Sequence, residues 1–133
     1  MSRILLDTFA YSAFMRREAI ITSTVQTAEE ICLNPVVLGE LISGFIRGKS
    51  EKRNRKELQE LLASPRVSIL SIDEETSERY AIILCDLRKR GTPVPTNDIW
   101  IAASAMQYGL KVLTTDSHYK RVSQIVTEYC SVS

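Results

Sequence analysis

The sequence predicts an α/β fold, a doubly wound, mostly parallel sheet of about five strands flanked by helices. Short apolar runs alternate along the chain with longer stretches of helical spacing, the pattern of strand–helix–strand units. Ile4-Leu5-Leu6 is apolar without interruption, as strands buried on both faces are. That run and Lys111-Val112-Leu113-Thr114-Thr115 both lead into an aspartate, at the strand ends where open α/β sheets bind ligands.

The first strand, Arg3-Ile4-Leu5-Leu6, stops on Asp7, and Thr8 to Met15 then takes helical spacing with Tyr11, Phe14 and Met15 on one side. A weak amphipathic helix is expected over 19–31, followed by a very short second strand at Cys32-Leu33. Asn34-Pro35 restarts a helix, with Asn as N-cap and Pro at the first helical position, where its missing N–H costs nothing. The apolar face of this helix is Val37, Leu38, Leu41, Ile42, Phe45 and Ile46, and it stops near Gly48. Ser50 to Ser64 reads as a charge-laced helix held by Leu58, Leu61 and Leu62 and ended by Pro65.

Val67 to Ile72 alternates and is rich in β-branched residues, a third strand. Asp73 caps a long helix from Glu74 to Arg90, buried through Tyr80, Ala81, Ile83, Leu84 and Leu87, with Gly91 as its stop. Pro93 and Pro95 hold the link Gly91 to Thr96 extended, so it covers on the order of 20 Å and carries the chain back to the carboxyl edge of the sheet. A helix from Asp98 to Tyr108 descends from there, and Lys111 to Thr115 rises as the fourth strand. After a short helical turn, Ile125 to Tyr129 makes the last.

A length of 133 residues suits one domain spanning 1–133. With 44% hydrophobic and 25% charged residues, the composition is that of an ordinary globular protein. No apolar run approaches the roughly 20 residues of a membrane span. Met1-Ser2-Arg3 leads directly into the first strand, so a cytoplasmic location without membrane contact is the expectation. Cys32, Cys85 and Cys130 lie far apart with no C-x-x-C pair, which argues against zinc and against a disulfide framework; Cys32 and Cys85 are expected as small buried hydrophobes. A net charge of +1 leaves any nucleic-acid contact to a local basic patch or a bound cation.

On this layout four carboxylates converge. Asp7 and Asp116 end the first and fourth strands, Asp98 lies in the first turn of a helix delivered to the same edge, and Glu40 lies about 8 Å down the helix that starts from the top of strand two. Each alone has an ordinary use as an N-cap, a helix-dipole partner or a solvated helix acid. Together they demand compensation, because Ile99-Trp100-Ile101-Ala102-Ala103 is apolar nearly all round and buries the acid at its mouth. No lysine or arginine is near in sequence to neutralise Asp7, Glu40 or Asp98. A hard divalent cation would. Oxygen ligands without His or Cys suit Mg²⁺ or Mn²⁺, which acts on phosphate esters, and the hydroxyls of Thr8, Thr114 and Thr115 are placed to hold metal-bound waters.

The strings Ile4-Leu5-Leu6-Asp7-Thr8, Val36-Val37-Leu38-Gly39-Glu40-Leu41, Asn97-Asp98-Ile99-Trp100-Ile101-Ala102-Ala103 and Leu113-Thr114-Thr115-Asp116, in this order, resemble the PIN domain, specifically the VapC-like ribonuclease toxins of bacterial toxin–antitoxin pairs. The resemblance covers essentially the whole chain. It implies that Asp7, Glu40, Asp98 and Asp116 are the catalytic quartet binding Mg²⁺ or Mn²⁺, and that the chain is an endoribonuclease cutting single-stranded or structured RNA. It also implies a cognate antitoxin whose C-terminal segment blocks the site, and a homodimer. Phe9 departs from the pattern, which has a small polar residue there, and so bears on the level of activity. The alternatives are a catalytically silent PIN-fold binding module and, more distantly, a Mg²⁺-binding receiver domain.

Gly44 to Ser50 mimics a phosphate-binding loop, but it ends a helix and is one residue short. His118 has no matched nucleophile and reads as a residue of a surface turn or of an RNA path. The basic run Lys49, Lys52, Arg53, Arg55 and Lys56, with Arg16, Arg17, Lys120 and Arg121, is either a solvated face or a flank of the crevice that holds phosphates.

Overall fold

The computed structural model describes residues 2–131. Five strands form one all-parallel sheet: β1 (Arg3–Leu6), β2 (Glu30–Leu33), β3 (Val67–Ile69), β4 (Lys111–Thr114) and β5 (Val126–Tyr129), in the order β3-β2-β1-β4-β5. Six helices connect and cover them: α1 (Thr8–Met15), α2 (Ala19–Thr27), α3 (Pro35–Arg47), α4 (Glu51–Leu62), α5 (Glu74–Arg90) and α6 (Thr96–Tyr108). Consecutive residues Ile4, Leu5, Leu6 and Ile31, Cys32, Leu33 are all fully buried. Because successive strand side chains point to opposite faces, both faces of the sheet are covered.

The strand order reverses at β1, whose neighbours are β2 and β4. Leu6 pairs with Leu113, so the residues that follow them, Asp7 and Thr114, emerge together at the carboxyl edge. This is the topological switch point of a doubly wound sheet.

Several boundaries differ from the sequence expectation. Helix α2 stops at Thr27, where Ala28 turns extended, and β2 takes four residues because Glu30, Ile31 and Cys32 pair with Arg3, Ile4 and Leu5. β3 ends at Ile69, not Ile72, since its only neighbour, β2, ends at Leu33. Helix α6 begins at Thr96 in place of Asp98; extended Pro95 serves as its cap, and Asp98 is left within the first turn. Cys85, Ala81 and Ile46 are exposed, because α5 and α3 each bury a narrower stripe than their apolar content suggests. Cys32 is buried, and all three cysteines are free.

A second apolar cluster of Ile83, Leu87, Val94, Ile99, Ala102, Ala103 and Val122 joins α5, the proline link and α6. Tyr80 stacks on Trp100 with ring centroids 4.1 Å apart. This packing fixes where α6 starts, and therefore where Asp98 stands. Among the described residues no helix is long and apolar enough to cross a membrane.

Candidate active site

Each acidic side chain is placed by the end of a regular element. Asp7 terminates β1 and caps α1, its Oδ1 accepting the N–H of Ala10 at 2.7 Å. Its Oδ2 accepts the hydroxyl of Thr114, the last residue of β4, at 2.6 Å. Asp98 sits in the first turn of α6, where the helix dipole favours a carboxylate, and the buried Tyr119 hydroxyl donates to its Oδ1 at 3.2 Å. Asp116 follows β4 and caps the 3-10 turn Ser117–Arg121 by accepting the N–H of His118 at 2.9 Å. Glu40, in the second turn of α3, accepts the Thr8 hydroxyl at 2.6 Å on one oxygen and the Asn97 amide at 3.2 Å on the other.

The four acids meet at one edge but in two layers. Glu40, Asp98 and Asp116 line a crevice of about 400 Å³ with Phe9, Pro95, Asn97 and His118. Asp7 does not line it; it is only 1% exposed and lies beneath. Asp98, Asp116 and His118 each bring one ligand atom within 4.8 Å of the others, and among the described residues no lysine or arginine lines the crevice.

The electrostatics follow. Burial pushes the Asp7 carboxyl up to about 7, against the opposing hydrogen bonds from Thr114 and Ala10, and the nearby Asp98 and Asp116 raise it further. Burial and the adjacent Asp116 lift Asp98 to about 6, while the Tyr119 hydrogen bond pulls the other way. The Tyr119 hydroxyl is itself driven well above the ordinary range by burial and by Asp7 and Asp98, so it stays a donor. Closely spaced acids with no cationic side chain between them are a donor set for a cation. Three carboxylates on the wall, with one imidazole, fit a hard divalent metal better than a soft one.

The family model for the PIN domain matches residues 4–125. The chain belongs to the PIN-domain family. Ribonuclease VapC4 of Mycobacterium tuberculosis is 34% identical over 90 residues, 68% of this chain and 69% of that one. Ribonuclease VapC2 of Haemophilus influenzae is 27% identical over 131 residues, 96% of this chain and 98% of its own. Among solved structures, DNA-bound VapBC from Salmonella typhimurium superposes with a TM-score of 0.84 at 26% identity, covering 97% of this chain and 98% of the other. VapBC2 from Rickettsia felis, bound to a promoter DNA fragment, shares the fold at a TM-score of 0.84 and 19% identity, covering 96% and 98%. The relatives are VapC ribonucleases, as the four strings of the sequence imply.

His118 stands in the crevice wall: Asp116 caps the turn and folds it back, so Nδ1 comes within 3.3 Å of Asp116 Oδ1, yet out of line for a hydrogen bond. The Thr8 and Thr114 hydroxyls donate directly to Glu40 and Asp7. Thr115 is half-buried beside them. Arg16 and Arg53 line a separate crevice with Tyr11, Phe45 and Glu57, Lys120 lies over the Tyr129 ring at 4.0 Å, and Arg121 holds the carbonyl of Pro93. Asn97, Tyr119 and Asn34 had no sequence signal beyond lying near an acid or at a cap.

Proposed function

We propose that this chain is a Mg²⁺- or Mn²⁺-dependent endoribonuclease, the toxin of a toxin–antitoxin pair, with Asp7, Glu40, Asp98 and Asp116 as its metal-binding and catalytic acids. The observation that carries the reading is the lysine- and arginine-free crevice in which Glu40, Asp98 and Asp116 gather over buried Asp7, in a chain of the PIN-domain family.

Asp98 and Asp116 are the residues best placed to hold the cation directly. Each has one oxygen tied by a protein donor, Tyr119 O–H on one and the His118 N–H on the other, which orients the second oxygen toward the crevice. Glu40 is fixed from two sides by Thr8 and Asn97, and acts by bounding the site with negative charge. Asp7, underneath, sets the depth of that charge and links the β1 and β4 ends through Thr114. When bound, the cation polarises the phosphoryl group, lowers the pKa of an attacking water and offsets charge on the leaving oxygen. The chain's own contribution is pre-organisation: every carboxylate is held by a protein donor, Asp98 and Asp116 both from the turn Ser117–Arg121, so little reorganises during the reaction.

The structures similar to this chain include toxin–antitoxin complexes, which supports a cognate antitoxin as partner and, with the family resemblance, a homodimer. Labelled RNA and DNA oligonucleotides incubated with Mg²⁺, Mn²⁺ or EDTA test the reading, with Asp7→Asn alongside wild type. RNA cutting that needs the metal and is lost in the variant is the expected result. Folded wild-type protein that cuts nothing under any condition would instead indicate a silent binding module.

A further inference from the structure

We propose that Phe9 is a stacking platform for a nucleobase of the RNA next to the scissile phosphate, and so a substrate-binding residue. This rests on the ribonuclease reading above and adds to it a contact with the base. Phe9 is the second residue of α1, two positions after Asp7. The helical phase that buries Ala10, Tyr11 and Ala13 turns it outward, and it is 53% exposed. Among the described residues, the other exposed large hydrophobics, Ile20, Ile46, Ile69, Ile82 and Val126, are aliphatic, and none of them lines the acid crevice.

Two features of the lining favour a base over a protein partner. Among the described residues, Pro95 is the only other apolar side chain beside Phe9 there; the rest are Glu40, Thr96, Asn97, Asp98, Asp116 and His118. A lone ring in polar surroundings is not the contiguous apolar patch that protein docking needs, but it offers the flat π-face that a base needs. The lining also holds no lysine or arginine, so a nucleotide gains no phosphate contact from a fixed side-chain cation. Beyond the metal and the hydrogen-bonding groups of Thr96, Asn97 and His118, the base is the part of a nucleotide left to add to its hold. Stacking on an aromatic side chain tolerates any base and strengthens affinity by about 10-fold or more, with purines, the larger π-systems, held best.

The test uses short single-stranded RNAs carrying 2-aminopurine at successive positions, whose fluorescence is quenched by stacking, together with steady-state cleavage of the same sequences. Wild type and Phe9→Tyr are expected to quench the probe at one position, and Phe9→Leu is not. Phe9→Leu should raise KM about 10-fold with kcat within about twofold, and that difference should vanish when the stacked base is replaced by an abasic site. Equal quenching by wild type and Phe9→Leu, or an unchanged KM, overturns the proposal and leaves the ring as a contact for a protein partner. RNA that is bound and quenched but never cut refutes the nuclease reading while upholding the stack. RNA that wild type neither binds nor cuts refutes both.

Discussion

The Thr114 hydroxyl donates to Asp7 Oδ2 across 2.6 Å, and its oxygen accepts the backbone N–H of Asp116 at 2.9 Å. One hydroxyl thus ties the end of β1 to the second residue after β4, in the fully buried floor of the site. Thr114→Val keeps the shape and removes both bonds. It should cost about 1–3 kcal/mol, the penalty for unpartnered buried groups, and raise Asp7 further by removing a hydrogen bond that favours its charged form. Urea unfolding measures the loss, and Thr114→Ser should restore most of it.

Asp7 and Asp98, at about 7 and about 6, both lie above the ordinary carboxylate value near 3.9. The folded chain therefore binds more protons than the unfolded chain between about pH 4 and about pH 7, and stability from these two groups falls as pH rises through that window. In EDTA the melting temperature should be higher at pH 5 than at pH 8, and Asp7→Asn should flatten the slope. A melting temperature that is flat or rising over that range would show that the two carboxylates are not held protonated by the fold.

Asp98→Asn removes a charge that Asp116 and Glu40 oppose, while its amide oxygen can still accept the Tyr119 hydroxyl. The metal-free variant should melt a few degrees higher than wild type, on the order of 1 kcal/mol, and should not cut RNA. Calorimetry in EDTA reads the first effect; a lower melting temperature would mean the acids do not repel one another.

Asn34 holds two of the acids' helices together. Its Oδ1 caps α3 through the N–H of Val37 at 3.0 Å, and its Nδ2 donates to Ser104 Oγ of α6 at 3.0 Å. Asn34→Ala should destabilise by about 1–3 kcal/mol and lower cleavage by loosening Glu40 against Asp98. Asn34→Asp keeps the cap but loses the amide donor, so stability should recover more than activity does.

The middle of the sheet was legible because β1 and β4 are short apolar runs that lead into acids, and the helix starts because Asn34-Pro35 and Asp73 are strong caps. Strand lengths were not, since β2 and β3 owe their ends to their neighbours, a relation between distant segments. For the acids, sequence spacing put Asp7, Glu40, Asp98 and Asp116 at one edge. It could not separate the three on the crevice wall from Asp7 beneath, because depth depends on Thr114 and Ala10 closing over that carboxylate. His118 was legible as a residue of a surface turn or of an RNA path, but a 3-10 turn has no hydrophobic period to say which way it faces.

Mn²⁺ titration followed by electron paramagnetic resonance, which reads free ion directly, tests most directly the claim that the acid crevice is a divalent-cation site. Wild-type protein should deplete the free Mn²⁺ signal, and Asp98→Asn and Asp116→Asn should lose that uptake, while Glu78→Gln, on the exposed side of α5, binds as wild type does. Uptake unchanged in both crevice variants, or no uptake by folded wild type, would contradict the account.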